Sequence, residues 1–460
     1  MFQGYGAMGA RVGRDRQIGG GLSTSGSGIV ARYPRKPFGF GGIAPTRVWG
    51  YRAYTSSMDE RKHWKHLQAE IVVTDICVGC AACVVACPHH VIEMENFRPV
   101  MLDPTLGPEN CIHGEKSCSL CAMACLRLDP DYDHMESLLF GRRRKHPSEP
   151  WGIARSMVLA RAADADIAPR GQDGGVVTAL LAWMIEAGEV EAACVSKPAA
   201  DKPWFDEPFL ARSRQDLIDA AGSRYTYCST PLVLKEAAAQ KLRSVALVGV
   251  SCEVTAIREM AEQGIKRWSR MVKFVAGLMC NETFAYEPFI VEIVQGRYGI
   301  DIDRVAKINV KGEVYVTLDD GSDVVIPLDE CKPYANAWCH HCPDFAAEHA
   351  DISFGGLGMT GWTMCLIRTD YGEDVWQRAV EAGVIETKEA SSEPHALSVL
   401  NGLARKQRRR VGPLEPHAAG RWSSREVLQR LRSEALEAGA LDGPPGASSG
   451  DPGSSSEGPD

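Results

Sequence analysis

Eight cysteines between Cys77 and Cys125 have the spacing of ligands to iron–sulfur clusters. The first four follow the pattern C-x2-C-x2-C-x3-C-P, in which one short loop places three thiolates around a single [4Fe–4S] cube. In two-cluster ferredoxins the fourth cysteine binds the other cluster, and a second set of cysteines supplies the exchange partner. We therefore predict one cluster bound by Cys77, Cys80, Cys83 and Cys125, and another bound by Cys87, Cys111, Cys118 and Cys121.

A pair of structural zinc sites is the alternative, since paired C-x2-C groups also bind zinc. The third cysteine of the first run and the following Pro88 favour iron–sulfur clusters. The second set departs from the usual pattern in two places. Six residues separate Cys111 from Cys118, and Leu126 follows Cys125 where proline is usual. These departures concern the geometry of the second cluster more than its existence.

A third group of cysteines lies in the carboxy-terminal half, at Cys331, Cys339 and Cys342. Three thiolates need a fourth ligand, which has to come from a distant loop. We expect Cys280 in this role, with Cys252 as the second candidate. The alternative for this group is a set of buried thiols without a metal. That interpretation applies to two other cysteines, Cys194 and Cys365, which lie in apolar, strand-like runs.

Composition limits the other classes of function. The net charge of −8 argues against a dedicated nucleic-acid binder, and no run of about 18 apolar residues could span a bilayer. Sixteen cysteines in a chain of 460 residues fit a reducing compartment better than a disulfide scaffold. We expect a cytoplasmic protein, or an organellar one if residues 1–57 are a transit segment. That stretch, rich in Gly, Ser and Arg, could also be an over-long start or a flexible tail.

The sequence predicts an α/β protein, α+β overall, in several segments. A ferredoxin-like two-cluster domain (58–148) precedes an α/β core (149–272) and a smaller mixed domain (273–438), with polar tails at 1–57 and 439–460. Helices are predicted at 175–187, 231–241 and 424–438, and strands at 192–195, 245–250 and 314–318, with parallel pairing in the core. The basic run Arg142–Lys145 is expected in a solvated linker, and Arg405–Arg410 on a solvated helix face.

Between residues 152 and 369 the sequence resembles the family of coenzyme F420 hydrogenase/dehydrogenase beta subunits. The resemblance is carried by the order of several stretches: Gln172–Leu181, Gly222–Tyr225, Val248–Cys252, Gly277–Cys280, Lys311–Gly312, Cys339–Asp344 and Ala350–Gly358. It implies FAD in the α/β core, beside an iron–sulfur cluster from the carboxy-terminal cysteines. The chain differs from the family pattern at Val250-Ser251, where Thr-Pro is more usual before Cys252.

Two short stretches are the candidate flavin contacts. Glycines that open a helix let backbone amides approach a phosphate or flavin, although one Gly-Gly pair is often an ordinary turn. A second loop offers a cation and an aromatic ring, although alone it would read as a surface loop. The candidate cofactor residues are Gln172, Asp173, Gly174, Gly175, Gly222, Ser223, Arg224, Tyr225 and Lys311.

The resemblance implies an oxidoreductase that passes electrons between a hydride carrier, coenzyme F420 by expectation, and iron–sulfur acceptors. A hydride carrier gives up two electrons together whereas a cluster accepts one, so a flavin is needed between them. Hydride transfer needs little acid–base help, and we name no catalytic residue. The expected partners are other redox subunits or ferredoxin, in a homo- or hetero-oligomer. The alternatives are a ferredoxin-dependent reductase of a tetrapyrrole or other organic substrate, and a non-enzymatic electron-transfer adapter.

Overall fold

The computed structural model describes residues 61–102, 107, 109–128 and 130–411. The expected tails at 1–57 and 439–460 and the predicted helix at 424–438 lie outside the described residues. Within them, no helix is both long enough and apolar enough to cross a membrane.

The chain alternates helices and strands after a cysteine-rich beginning. The strands are β1 (Ile92–Glu95), β2 (Arg98–Met101), β3 (Ser156–Ala162), β4 (Ala192–Pro198), β5 (Asp206–Ala211), β6 (Val245–Val250), β7 (Val272–Leu278), β8 (Val305–Val310), β9 (Val314–Leu318), β10 (Asp323–Ile326), β11 (Ile352–Gly355), β12 (Thr363–Ile367) and β13 (Ile385–Glu389). The helices are α1 (Trp64–Leu67), α2 (Ala82–Ala86), α3 (Ile112–Glu115), α4 (Leu120–Met123), α5 (Tyr132–Phe140), α6 (Val176–Glu186), α7 (Arg214–Asp219), α8 (Val233–Ala239), α9 (Ser251–Glu262), α10 (Lys266–Met271), α11 (Leu328–Cys331), α12 (Asp370–Glu381) and α13 (Pro394–Arg408).

An eight-stranded sheet organises the part of the chain that the structure describes, in the order β13-β3-β12-β11-β7-β6-β4-β5. The neighbours β11, β7, β6 and β4 pair in parallel, as predicted for the core. Strand β12 is antiparallel to both β11 and β3, so β3 runs in the same direction as β11. The carboxyl ends of five strands therefore meet at one edge, where α/β proteins commonly place their sites.

Both faces of this sheet are covered, which is why β4 and β6 are largely apolar. Helices α8, α9 and α10 contribute Leu234, Val254 and Trp268 to the core on one face. Helices α6 and α12 contribute Leu180 and Trp376 to the other. The helix predicted at 231–241 is shorter, because a 3-10 turn at Thr230–Leu232 precedes α8.

The predicted boundary between residues 272 and 273 falls at the start of β7, inside the sheet. Strands from both sides of that position therefore share one core. A three-stranded sheet, β10-β9-β8, stands apart and packs on the π-helical segment Glu287–Arg297, with Phe289 and Ile308 in its own core.

The cysteine-rich segment packs directly on the sheet body. Val78, Ala82 and Leu126 share one apolar core with Val254 of α9 and with Trp338. A hydrogen bond adds to this contact, because the Ser229 hydroxyl donates to the Gly79 carbonyl at 2.7 Å. These residues join the cysteine-rich segment and the sheet in one core.

The basic run at 142–145 is not a solvated linker, so that prediction is wrong. Arg144 is buried and forms ion pairs with Glu136 of α5 and with Glu348, the latter at 2.5 Å. Its two neighbours, Arg143 and Lys145, do match the expectation of exposed cations. A buried cation needs paired acids, and two acids from different segments supply them here.

The run at 405–410 is only partly a solvated face. Arg405, Lys406 and Arg409 are exposed, as expected. Arg408, however, forms an ion pair with Glu348, and Arg410 donates to the Cys339 carbonyl at 2.9 Å. Arg408 and Arg410 thus help to hold the loop that carries the carboxy-terminal cysteines.

Candidate redox sites

The first four-cysteine group forms beside α2. Burial raises the pKa of the Cys83 thiol well above its usual value, and the neighbouring thiols Cys77, Cys80 and Cys125 raise it further. Burial likewise raises the pKa of Cys125 to about 12. The structure therefore brings together the four cysteines that the spacing assigned to one cluster.

Backbone geometry around this group depends on one glycine. Gly79 has φ of +69°, and a Cβ there would lie 2.8 Å from the Phe97 carbonyl oxygen. The turn it permits aims amides at the sulfurs: Gly79 donates to Cys77, Ala82 to Cys80, and Arg127 and Leu128 to Cys125. Amides that face cysteine sulfurs are what a bound cluster requires.

The second four-cysteine group surrounds Cys121 of α4. Burial raises the pKa of Cys121 to about 12, with further contributions from Cys87, Cys118 and Cys111. These are the four cysteines expected at the second cluster, and Cys118 is only half-buried. Cys121 is also a neighbour of Cys83, so the two groups adjoin.

A third site lies at the carboxyl edge of the sheet, in a small cavity. Cys252 is the second residue of α9, directly after β6, and Cys280 follows β7 by two residues. Because β6 and β7 are parallel neighbours, their carboxyl ends place both thiols at one edge. The four cysteines that line the cavity are Cys252, Cys280, Cys339 and Cys342.

The thiols of this site interact with one another. Burial raises the pKa of Cys280 well above its usual value, and Cys339 and Cys342 raise it further. Burial also raises the pKa of Cys252, with contributions from Glu253, Cys342, Cys80 and Cys280. Cys252, the second candidate from sequence, therefore lies with the other three thiols.

Cys331 does not lie in this site. It is fully buried at the end of α11, in the apolar core of the three-stranded sheet, among residues such as Phe289 and Ile326. Burial raises its pKa to about 11, and its charged neighbours are Glu330, Arg297 and Glu313. Its predicted place beside Cys339 and Cys342 is therefore corrected. The sequence signal that could have identified Cys252 as the fourth cysteine of this site is its position directly after an apolar strand.

The chemical surroundings of all three groups fit iron–sulfur clusters. In apolar surroundings each thiol would stay protonated on its own, and only a strong positive charge such as iron would stabilise four neighbouring thiolates.

The candidate flavin residues form a cradle at the same edge of the sheet. The Gln172 side chain donates to the Tyr225 hydroxyl at 3.3 Å and accepts from the Ser223 amide at 3.3 Å. Lys311 donates to the Asp173 carboxylate at 3.1 Å and to the Met359 carbonyl at 2.6 Å. Burial raises the pKa of Asp173, while Lys311 lowers it.

Glycine is required where this cradle meets α6. Gly174 has φ of +86°, and a Cβ there would lie 2.8 Å from the Gly361 carbonyl oxygen. Gly175, also at positive φ, is the N-cap of α6, and no side chain caps that helix end. The first amides of α6 therefore remain available to an anionic group. Gly222 lies in the adjacent loop, near the Arg170 carbonyl oxygen.

The sequence suggested that Arg224 offers its positive charge to the cradle, and the structure shows that it does not. Its guanidinium is buried and forms an ion pair with Asp206, and it donates to the Ala220 and Ala221 carbonyls at 3.3 Å. Burial raises the pKa of Asp206 to about 6, whereas Arg224 lowers it. Arg224 therefore holds the loop in place, and Tyr225 is the residue that faces Gln172.

The cradle adjoins the third cysteine site. Burial raises the pKa of Tyr225 to about 12, and both Asp173 and Cys280 are among its charged neighbours. Met279, next to Cys280, donates its amide to the Phe354 carbonyl at 2.9 Å and contacts Gly355 at the end of β11. Tyr225 therefore lies between the flavin candidates and a cysteine of the third site.

Comparisons with known proteins identify related families and chains. Residues 157–235 and 242–393 match the amino-terminal and carboxy-terminal parts of the coenzyme F420 hydrogenase/dehydrogenase beta subunit, and residues 76–127 match a 4Fe-4S dicluster domain. A chain from the F420-reducing [NiFe] hydrogenase complex of Methanosarcina barkeri is similar in structure, with a TM-score of 0.55 and 32% identity. That similarity covers 58% of this chain and 92% of the other.

Two relatives are similar in sequence over different spans. A component of the F(420)H(2) dehydrogenase of Methanosarcina mazei is 27% identical over 308 residues, which cover 66% of this chain and 82% of the relative. The beta subunit of the coenzyme F420 hydrogenase of Methanothermobacter thermautotrophicus is 34% identical over 269 residues, or 56% of this chain and 93% of the relative. With the family regions matched in order and that relative matched over almost its whole length, the chain belongs to the family of coenzyme F420 hydrogenase/dehydrogenase beta subunits.

Proposed function

We propose that this chain is an iron–sulfur flavoprotein that passes electrons between a hydride carrier and one-electron acceptors. The observation that carries the proposal is an unbroken series of four adjoining sites: the flavin cradle, the third cysteine site, and the two amino-terminal cysteine groups. A series of this kind has the arrangement of a relay.

The first step of the relay runs from the cradle to the third site. Tyr225 contacts Gln172 on one side and has Cys280 as a neighbour on the other. The residues that would hold FAD are Gln172, Asp173, Gly174 and Gly175 with Tyr225 and Lys311, and the uncapped start of α6 suits its phosphates. When bound there, FAD would supply the conversion of a hydride into two single electrons and a proton.

The second step crosses from the sheet body to the cysteine-rich segment. Cys252 of the third site is a neighbour of Cys80 in the first amino-terminal group. The Tyr227 hydroxyl lies 3.7 Å from the Cys252 sulfur, and its ring packs on Phe97 and Trp338. Because these side chains are packed, the proposed transfer needs no movement of one segment toward the other.

The third step leads outward through the second amino-terminal group. Cys83 and Cys121 adjoin, and around the outer group Cys118 is half-buried while Ile112 is 37% exposed. This group is therefore the natural point of exchange with a partner. We propose that the partner is another redox subunit or a ferredoxin, as in the multi-subunit complexes to which similar proteins belong.

The hydride carrier that we propose is coenzyme F420. The support is the family membership, together with relatives whose names refer to this coenzyme. In this proposal the cradle would hold the flavin, and coenzyme F420 would deliver the hydride to it. NADH and NADPH are therefore direct competitors in the test.

The experiment is anaerobic purification with iron, sulfide and flavin analysis, followed by mixing with reduced coenzyme F420, NADH, NADPH or reduced ferredoxin. We expect about twelve iron atoms and about one FAD per chain. Of the four reductants, reduced coenzyme F420 should bleach the flavin fastest. Protein without flavin would support the adapter alternative. Reduction by ferredoxin alone would support the alternative of an organic-substrate reductase.

Two glycines at opposite ends of α6 provide a matched control within the same experiment. Gly174→Ala should lower the flavin content and leave the iron content unchanged, because its Cβ would strike the Gly361 carbonyl. Gly188→Ala has the same kind of positive φ, at +70°, with no atom within 4 Å of the added carbon. Equal flavin content in both variants would contradict the cradle.

A further inference from the structure

Arg127 is a buried cation at the junction of the cysteine-rich segment and the sheet body. Only 5% of the residue is exposed, and it stands two positions after Cys125. Its Nη1 donates to the His341 carbonyl at 2.6 Å, on the loop between Cys339 and Cys342. The side chain therefore reaches from the first amino-terminal cysteine group to the third site.

The other two nitrogens of this guanidinium have no hydrogen-bond partner among the residues that the structure describes. Nε and Nη2 are both buried, with less than 1 Å² of accessible surface each. A buried, charged N–H without an acceptor is costly, so its retention calls for a compensating negative group. Arg144 and Arg224, which are also buried, each have a carboxylate partner.

The charge of Arg127 acts on cysteines of both sites. Arg127 is a charged neighbour of Cys342 in the third site. Arg98 and Arg127 are charged neighbours of Cys77 in the first amino-terminal group. The acids nearest to these thiols are Asp344 beside Cys342 and Asp75 beside Cys77.

We propose that Arg127 sets the reduction potentials of the clusters at both ends of the crossing between the two segments. Each one-electron reduction adds one negative charge to a cluster and its four thiolates, with no proton involved. A fixed cation in a site that excludes water stabilises that added charge on either side. The arginine thereby raises both reduction potentials and favours residence of the electron at the junction.

This inference rests on the proposed clusters, and its test is a potential rather than an activity. The variants are Arg127→Met and Arg127→Gln, which remove the charge, and Arg127→Lys, which keeps it. The matched control is Arg258→Gln. Arg258 is a largely buried arginine of α9, which pairs with Asp351 at 3.0 Å and donates to the His349 carbonyl at 2.9 Å.

We expect both neutral variants to make reduction of the Cys77-containing cluster and of the third cluster at least tenfold less favourable. For a one-electron couple this is a potential lower by about 59 mV. EPR-monitored redox titration of the purified full chain measures each cluster separately. The cluster bound by Cys87, Cys111, Cys118 and Cys121 should shift less, and Arg127→Lys and Arg258→Gln should stay within about twofold of the unaltered protein.

Iron analysis separates failure of this inference from failure of the proposed function. Unaltered protein with fewer than three clusters would contradict the proposed function itself. Neutral variants with full iron and unchanged potentials would overturn the role of Arg127 alone. If one neutral variant loses iron, the other is titrated. If both lose it, iron-replete Arg127→Lys is titrated, and a shift of tenfold or more in its potentials would overturn the role of charge.

Discussion

The two cysteine regions of this molecule are assembled in opposite ways. The amino-terminal groups take all eight cysteines from one stretch between Cys77 and Cys125, and tight turns set their positions. The third site takes its cysteines from three separate segments, after β6, after β7 and in the loop at 339–342. Only the pairing of β6 with β7 brings the first two of these segments together.

The difference shows what spacing can and cannot determine. In a local motif the chain length between ligands is itself the geometry, so the exchange of Cys87 and Cys125 between groups could be read from the pattern. In a nonlocal site the sheet topology decides which residues meet. Cys331 is near Cys339 in sequence, but α11 carries it into the core of another sheet. Cys252 is far away in sequence and lies in the site.

The largest expected effect on iron content comes from replacing Cys252 and Cys331 by serine, one at a time. Cys252→Ser should lose one cluster, about four iron atoms per chain, and leave the amino-terminal pair intact. Cys331→Ser should keep all the iron and lower the free energy of unfolding by about 1–3 kcal/mol, because it leaves a hydroxyl in an apolar core. Iron and sulfide analysis of both variants decides between the two cysteines. Loss of iron from Cys331→Ser, with Cys252→Ser unaffected, would restore the assignment made from sequence.

A smaller effect tests whether the two regions form one packed unit. Arg144→Ala leaves Glu136 buried without its cation and leaves Glu348 paired with Arg408 alone, and should lower the free energy of unfolding by about 3–5 kcal/mol. Arg143→Ala, its exposed neighbour, should lower it by less than about 1 kcal/mol. Denaturant titration measures both variants under the same anaerobic conditions. Equal and small effects would mean that residues 142–150 act as the flexible linker that their composition suggests.

Much of the fold could be predicted from the sequence because its signals are local. The apolar run at 245–250 is a strand, and so is the run predicted at 314–318. The helix expected at 175–187 is α6. Long-range pairing was not predictable in the same way, since nothing within residues 273–367 indicates that β7, β11 and β12 join the sheet built by the preceding segment.

Charged residues show the same limit. Arg144 and Arg224 lie in sequence stretches that are typical of solvated loops, yet both are buried. Each forms an ion pair with an acid that is distant in sequence, Glu348 for Arg144 and Asp206 for Arg224. A cation alone does not reveal whether such a partner exists. The cradle residues Gln172 and Tyr225 were identified as candidates through family resemblance, and their mutual hydrogen bond could not be read from the sequence.

The most direct test of the relay is rapid-freeze EPR of the full chain, mixed anaerobically with reduced coenzyme F420, beside the Cys252→Ser variant. The third site lies between the cradle and the amino-terminal groups, so electrons should reach it before them. We predict that Cys252→Ser still bleaches its flavin at the unaltered rate, while reduction of its amino-terminal clusters slows by at least a hundredfold. Amino-terminal clusters that become reduced equally fast in both proteins would contradict the proposed path.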